Sequence, residues 1–187
     1  MQTKHPKDSL TIMTEIVLPN DTNSLNNLMG GRLLHWMDIA SAIAAQKHSN
    51  SIVVTASVDS VSFKEPIKLG DVVNIKAWIT RTFNTSMEVF IEVWAENIPK
   101  GRKIKSNDAY YTFVALDSEN KPIPVPTVTP QTELEREKYD GALRRRQLRL
   151  VLAGKIKPDE AIELKNLFIS EGENYELKIT YYELRFR

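Results

Sequence analysis

The chain has 187 residues, with 25 Lys and Arg against 24 Asp and Glu, so no global basic field attracts nucleic acid. It has no Cys, which excludes disulfides and thiol catalysis. Apolar residues make up 42% and charged residues 26%, the balance of a globular protein with a sizeable core. The first eight residues are polar and lack the apolar core of a signal peptide, so a cytoplasmic location with no membrane association is the expectation.

Leu10 to Leu18 reads as a first strand, rich in Thr and β-branched residues. An Asn-rich loop follows, ending in Gly30 and Gly31. From there to His48 the chain is dominated by Leu33, Leu34, Trp36, Met37, Ile39, Ala40, Ile43, Ala44 and Ala45, which at helical spacing point in nearly every direction. A helix apolar all round is expected to be buried all round. Arg32, His35 and Asp38 interrupt it too often for a membrane span. Asp38 is then the anomaly. A carboxylate inside such a helix costs free energy unless something pairs with it or uses it. Gly30 and Gly31 allow a close approach to the backbone, and free N–H groups at a helix N-terminus suit an anion or a polarised carbonyl.

Ser51–Ser62, Asp71–Thr82, Ser86–Glu96 and Ser106–Leu116 read as further strands. In the third of these, Met87, Val89, Ile91 and Val93 alternate with Glu88, Phe90, Glu92 and Trp94, which predicts an antiparallel strand with one wetter face. Asn84-Thr85 is short enough for a hairpin, and Asn97-Ile-Pro-Lys-Gly-Arg is a longer turn. Strand, long helix and at least four strands predict an α+β fold, an antiparallel sheet curled around one central helix. Pro122, Pro124, Pro126 and Pro130 then break regular structure. Beyond them the composition shifts. Thr132 to Gly154 reads as a charged helix, Pro158 to Phe168 as a second, and Tyr175 to Tyr181 as a possible strand. The expected organisation is a domain over 8–130 and a C-terminal extension, helical with a possible strand, over 131–187.

The pattern Pro19-x-Asp21-x-Asn23, Gly30-Gly31, Met37-Asp38 resembles the signature of hotdog-fold acyl-CoA thioesterases, closest to the cytosolic brain-type acyl-CoA hydrolases and their short bacterial relatives. The similarity continues through Val54-Thr-Ala-Ser-Val-Asp59, Phe63-x-x-Pro66-Ile67, Gly70-Asp71-Val72, Thr85-Ser-Met-Glu-Val89 and Tyr111-Thr-Phe-Val-Ala115. Two positions depart: Asn26 stands where the family has Gly, and Met29 where it has an aromatic residue or His.

The resemblance implies hydrolysis of fatty acyl-CoA to a fatty acid and coenzyme A, without a bound cofactor. Thioester hydrolysis needs an aimed water, a base and donors for the developing oxyanion. By resemblance, Asp38 is the base and Asn23 of the other subunit orients the water or carbonyl. The backbone at Gly30 and Gly31 supplies oxyanion donors, and Thr55, Ser57, Lys64, Arg81, Thr82 and Ser86 are candidate contacts to coenzyme A. The implied partner is a second copy, in a homodimer and further in a hexamer of three dimers, with Trp78, Phe90 and Trp94 as exposed apolar residues. His35 and Asp38 share a helix face, but two ligands make no metal site, so no metal is expected. No Gly-x-Ser-x-Gly elbow is present. The alternative is a non-catalytic acyl-CoA-binding or regulatory hotdog protein. The pairing of Asn23 with Asp38 weighs against it. A hotdog dehydratase would want a His at or before the helix start, where none stands.

Overall fold

The computed structural model describes residues 3–166 apart from 60, 62 and 64. The expected strand near Tyr175 and the candidate residue Lys64 therefore lie outside the described residues. After a short helix α1 (Pro6–Ser9) come β1 (Thr11–Ile16), the long helix α2 (Gly30–Ser49) and β2 (Ile52–Asp59). Then follow β3 (Val72–Thr82), β4 (Ser86–Asn97), β5 (Arg102–Leu116) and the charged helix α3 (Glu133–Leu152), with a last helix α4 (Ile162–Lys165). The chain divides into two compact units between Lys138 and Tyr139. In the second, Leu164 N–H donates to Gln147 Oε1 at 2.9 Å, tying α4 to α3.

The five strands form one antiparallel sheet in the order β1-β3-β4-β5-β2, curled over α2. Ile75 faces Val93, Ala77 faces Ile91 and Ile79 faces Val89, and all six are fully buried. On α2, Leu33, Trp36, Met37, Ala40, Ala44 and Ala45 meet that surface. The alanines keep the helix axis close to the sheet, and each larger side chain buried there contributes about 1.5–3 kcal/mol. This is the hotdog architecture that the motifs imply. Asn50 ends the helix in the left-handed region at φ 53°, and its N–H donates to Gln46 O at 2.8 Å. Among the described residues no helix is long and apolar enough to cross a membrane.

Two expectations are corrected. The helix is not buried all round: Arg32, His35, Ile39 and Ile43 lie along one exposed stripe, with Ile39 38% and Ile43 39% accessible. Among the described residues, none covers the apolar side chains on that stripe. Conversely, the outer face of β4 is not wet over its first half. Glu88 is buried with Thr80 Oγ1 donating to its Oε1 at 2.6 Å, and Phe90 is buried rather than exposed. Phe90 packs edge-on against Trp78 at 5.1 Å and against Tyr110 at 5.0 Å, with Lys138 Nζ 4.8 Å from its ring centre. Aromatic and cation–π packing, invisible to a period-2 reading, closes that face.

Candidate active site

The loop before α2 is held by a short set of hydrogen bonds. Asp21 is buried, accepts the Leu18 N–H at 3.0 Å and accepts Arg32 Nε at 2.6 Å. The Leu18 N–H, and then Arg32 working against the cost of burial, hold the Asp21 carboxyl below the usual carboxylate range. Met29 N–H donates to Asp21 O, Leu28 N–H to Ile67 O and Leu69 N–H to Asn26 O, so this loop is laced to the one before β3. Asn26 adopts φ 56°. That left-handed conformation is the physical reason a Gly suits this position, and Asn is among the residues that tolerate it best.

Asn23 sits on this loop with its Oδ1 occupied, accepting the Leu25 N–H at 2.9 Å and the Asn27 N–H at 3.2 Å. Its Nδ2 has no partner among the described residues, so the side chain offers a donor. Met29 caps α2 without any side-chain acceptor, which leaves the first-turn N–H groups of Gly30 and Gly31 uncapped. Asn23 and Gly30 both line a pocket of about 370 Å³, with Leu28, Leu33, Phe63 and Ile67 as its apolar walls. A Cβ on Gly30 would meet the Phe63 ring at 3.2 Å, so glycine is what lets that ring lie against the helix start. Gly31 faces open space.

Asp38 is elsewhere. It lies eight positions along α2 from Gly30, roughly 12 Å at the helical rise, and does not line that pocket. It is half-buried and accepts Thr55 Oγ1 at 2.8 Å. A bulge between Thr55 and Ser57 interrupts the β2–β5 register. It puts Thr55, opposite Phe113, on the same face as Val58, opposite Tyr111, although an odd separation divides them. Tyr111 is buried on β5, and burial, then the charge of Asp38, push its phenol up to about 12. Around this carboxylate β2 is largely exposed, with Ile52, Val54 and Val58 uncovered, as are Ile39 and Ile43 on the helix.

The remaining candidates scatter. Ser57 donates to Asp59 Oδ1. Thr82 Oγ1 accepts the Val128 N–H at 3.2 Å, Arg81 lies over Phe83 and Ser86 O accepts the Phe83 N–H. These three sit at the β3–β4 hairpin, beside the segment that also receives His48 Nε2–H from the far end of α2. Within one chain they are not brought to the Gly30 pocket. Leu28, Ile67 and Ser106, which line that pocket, and Tyr111 at Asp38 were not singled out from the sequence as site residues. Among the described residues no group of three His, Asp or Glu side chains is placed to hold a metal ion.

Residues 25–101 match the family model described as Thioesterase superfamily. A Bacillus subtilis protein named uncharacterized acyl-CoA thioester hydrolase YkhA is 40% identical over 77% of this chain and 84% of its own length. The chain belongs to the thioesterase superfamily. A solved apo-hexameric acyl-CoA thioesterase superposes with a TM-score of 0.80 at 42% identity, over 82% of this chain and 98% of that one. The acyl-CoA hydrolase of Staphylococcus aureus, solved with butyryl coenzyme A, coenzyme A and coenzyme A disulfide, gives 0.76 at 36% identity, over 88% and 99%. Solved variants of that hydrolase replace an Asn, an Asp fifteen residues later and a Thr seventeen beyond it with alanine. In this thioesterase-superfamily chain Asn23, Asp38 and Thr55 have the same types and spacing.

Proposed function

We propose that the protein hydrolyses acyl-CoA thioesters at a site shared by two copies of the chain. The observation that carries this reading is the separation of Asn23 and Gly30 from Asp38 in one chain. The donors line a pocket that Asp38 does not reach, and Asp38 stands on a largely apolar, exposed surface. A two-fold pairing across β2 and the exposed stripe of α2 would cover Ile39, Ile43, Ile52, Val54 and Val58. It would also carry the Asp38 of one copy to the pocket of the other.

In the reaction, the acyl carbonyl lies at the Gly30 and Gly31 N–H groups and the Asn23 amide. Asp38, held by Thr55, takes a proton from water as the water oxygen bonds to the carbonyl carbon. The helix N-terminus stabilises the oxyanion, with no reorganisation at the moment of attack. Collapse breaks the carbon–sulfur bond. The thiolate of coenzyme A takes the proton from Asp38, and the carboxylic acid gives its own proton to solvent and leaves as carboxylate. The hexameric relatives support a trimer of such dimers as the full assembly.

Free-thiol release from a panel of acyl-CoA chain lengths tests the reading. A turnover optimum at one length is expected, and binding of all of them without release would leave the acyl-CoA-binding alternative in its place. Light scattering tests the assembly: a stable, active monomer would refute it.

A further inference from the structure

The outer face of the sheet, turned away from α2, carries a separate groove of about 280 Å³. Its floor holds Lys76 and Trp78 of β3, which alternation sets on the face that Ile75, Ala77 and Ile79 do not use. Its walls come from α1 and the residue after it, through Lys7 and Leu10, and from the start of α3, through Leu134 and Glu135. Both walls are held in place. Buried Ser9 donates its hydroxyl to Pro6 O at 2.7 Å and accepts the Ile79 N–H at 2.9 Å, which pins α1 to β3. At α3, Glu135 Oε2 accepts the Gln131 N–H at 2.7 Å and the Thr132 N–H at 2.9 Å, and Thr132 Oγ1 accepts the Glu135 N–H at 3.2 Å. Those bonds also engage the Glu135 carboxylate, and Glu92, the other acid in the groove, accepts Lys105 Nζ at 3.3 Å. The two cations are not engaged. Lys7 and Lys76 are exposed and have no side-chain partner among the described residues. Beside them, Leu10 and Leu134 are exposed and Trp78 is half-buried. Two open cations next to an indole and two leucines fit an anion with an apolar body.

We propose that this groove binds a medium-chain alkyl carboxylate, with Lys7 and Lys76 meeting the head group and Leu10, Trp78 and Leu134 meeting the chain. The volume lies just below the usual small-ligand range, which begins at about 300 Å³, so the occupant is a single short molecule. The groove lies on the opposite face of the sheet from α2 and shares no lining residue with the pocket at Gly30. It is a second site, separate from the chemistry. Only the source of the carboxylate rests on the acyl-CoA reading: hydrolysis of a medium-chain thioester releases a carboxylate of this class, which would make the groove a product sensor.

Equilibrium dialysis of radiolabelled octanoate tests the site on the full chain. The S-octyl thioether of coenzyme A, which cannot be hydrolysed, is added at saturation to occupy the pocket at Gly30. Octanoate should still bind the wild type. The double variant Lys7→Ala, Lys76→Ala should bind it about fivefold or more weakly, the scale of two exposed ion pairs. Lys121→Ala, which removes a surface cation paired with Glu119, should leave the affinity where it was. Butyrate should bind about tenfold more weakly than octanoate, because four methylenes leave the apolar wall. Octan-1-ol, which keeps the chain and lacks the charge, should also bind more weakly. Loss of all octanoate binding in the presence of the thioether would overturn the proposal, as would equal affinity in the double variant and the wild type. Octan-1-ol binding as tightly as octanoate would overturn it too. The measurement involves no turnover. Failure of the acyl-CoA reading would show as absent thiol release and would leave these affinities unmoved.

Discussion

The pocket at the start of α2 and the carboxylate two turns further on solve different problems. The pocket is built from backbone and loop, laced by the Asp21, Asn26, Met29 and Ile67 hydrogen bonds, and its donors are preset before any ligand arrives. Asp38 stands on a surface that is half apolar and open, with Thr55 as its hydrogen-bonding support. The first region has an enclosed volume and free donors; the second has a carboxylate on an open surface. On the proposed reading, a folded chain carries every chemical group of the site and still does not contain the site.

The largest effect should come from the region with Asp38. Asp38→Asn keeps the Thr55 contact and the shape but removes the proton acceptor, and turnover should fall on the order of a hundredfold or more. Stopped-flow or steady-state thiol release measures it, and a variant with wild-type turnover would end the mechanism. In the pocket, Asn23→Asp keeps the oxygen that caps Leu25 and Asn27 while removing the free amide donor. Turnover should drop by about a hundredfold, the scale of one oxyanion donor. Equal losses for both substitutions in a protein of unaltered melting temperature would show that the two regions serve one step.

Thr55→Val tests the support of the carboxylate. Losing one hydrogen bond to a charged group should cost about tenfold in kcat, with KM little changed. A rise in KM instead would return Thr55 to the substrate contacts. Gly30→Ala should cost less, because the Phe63 ring it meets at 3.2 Å is half exposed and can shift by a few tenths of an ångström. A loss of under about tenfold, seen in KM, is expected.

The far end of α2 sharpens the contrast, since it should affect stability and leave turnover alone. His48 is fully buried, donates Nε2–H to Pro126 O at 2.9 Å, and its Nδ1 has no partner among the described residues. Burial, ahead of the opposing pull of the Pro126 carbonyl, holds it below its ordinary 6.5. The unfolded chain then takes up a proton that the folded chain resists, so stability falls as pH drops below about 6.5. Melting temperatures from pH 7 to pH 5 should decline, and less steeply in His48→Asn.

Much of this was readable from residue order. The strand parity of Val73, Ile75, Ala77 and Ile79, the Gly30-Gly31 start and the short Asn84-Thr85 turn each have a local physical cause, and each appears where expected. The contact of Thr55 with Asp38 was not readable. Its hydroxyl reaches Asp38 because a bulge at Ala56 changes the strand's phase, and nothing in Val54-Thr-Ala-Ser marks that bulge. Phe90 misled for a similar reason. A polar-looking strand face became core because Trp78, Tyr110 and Lys138, distant in sequence, close over it. The exposed stripe of α2 was hidden by its own composition. Ile39 and Ile43 read as core residues because they are apolar, yet no described residue covers them.

The claim that the two regions complete each other in different copies is tested most directly by mixing inactive variants. Asp38→Asn and Asn23→Asp are co-refolded, and mixed dimers are verified by native mass spectrometry. In a mixed dimer one site carries both lesions and the other carries none, so thiol release should recover to a fraction set by the population of mixed dimers. Mixed dimers that form and remain as inactive as either parent would place both residues in a single chain's site, and the shared-site account would be wrong.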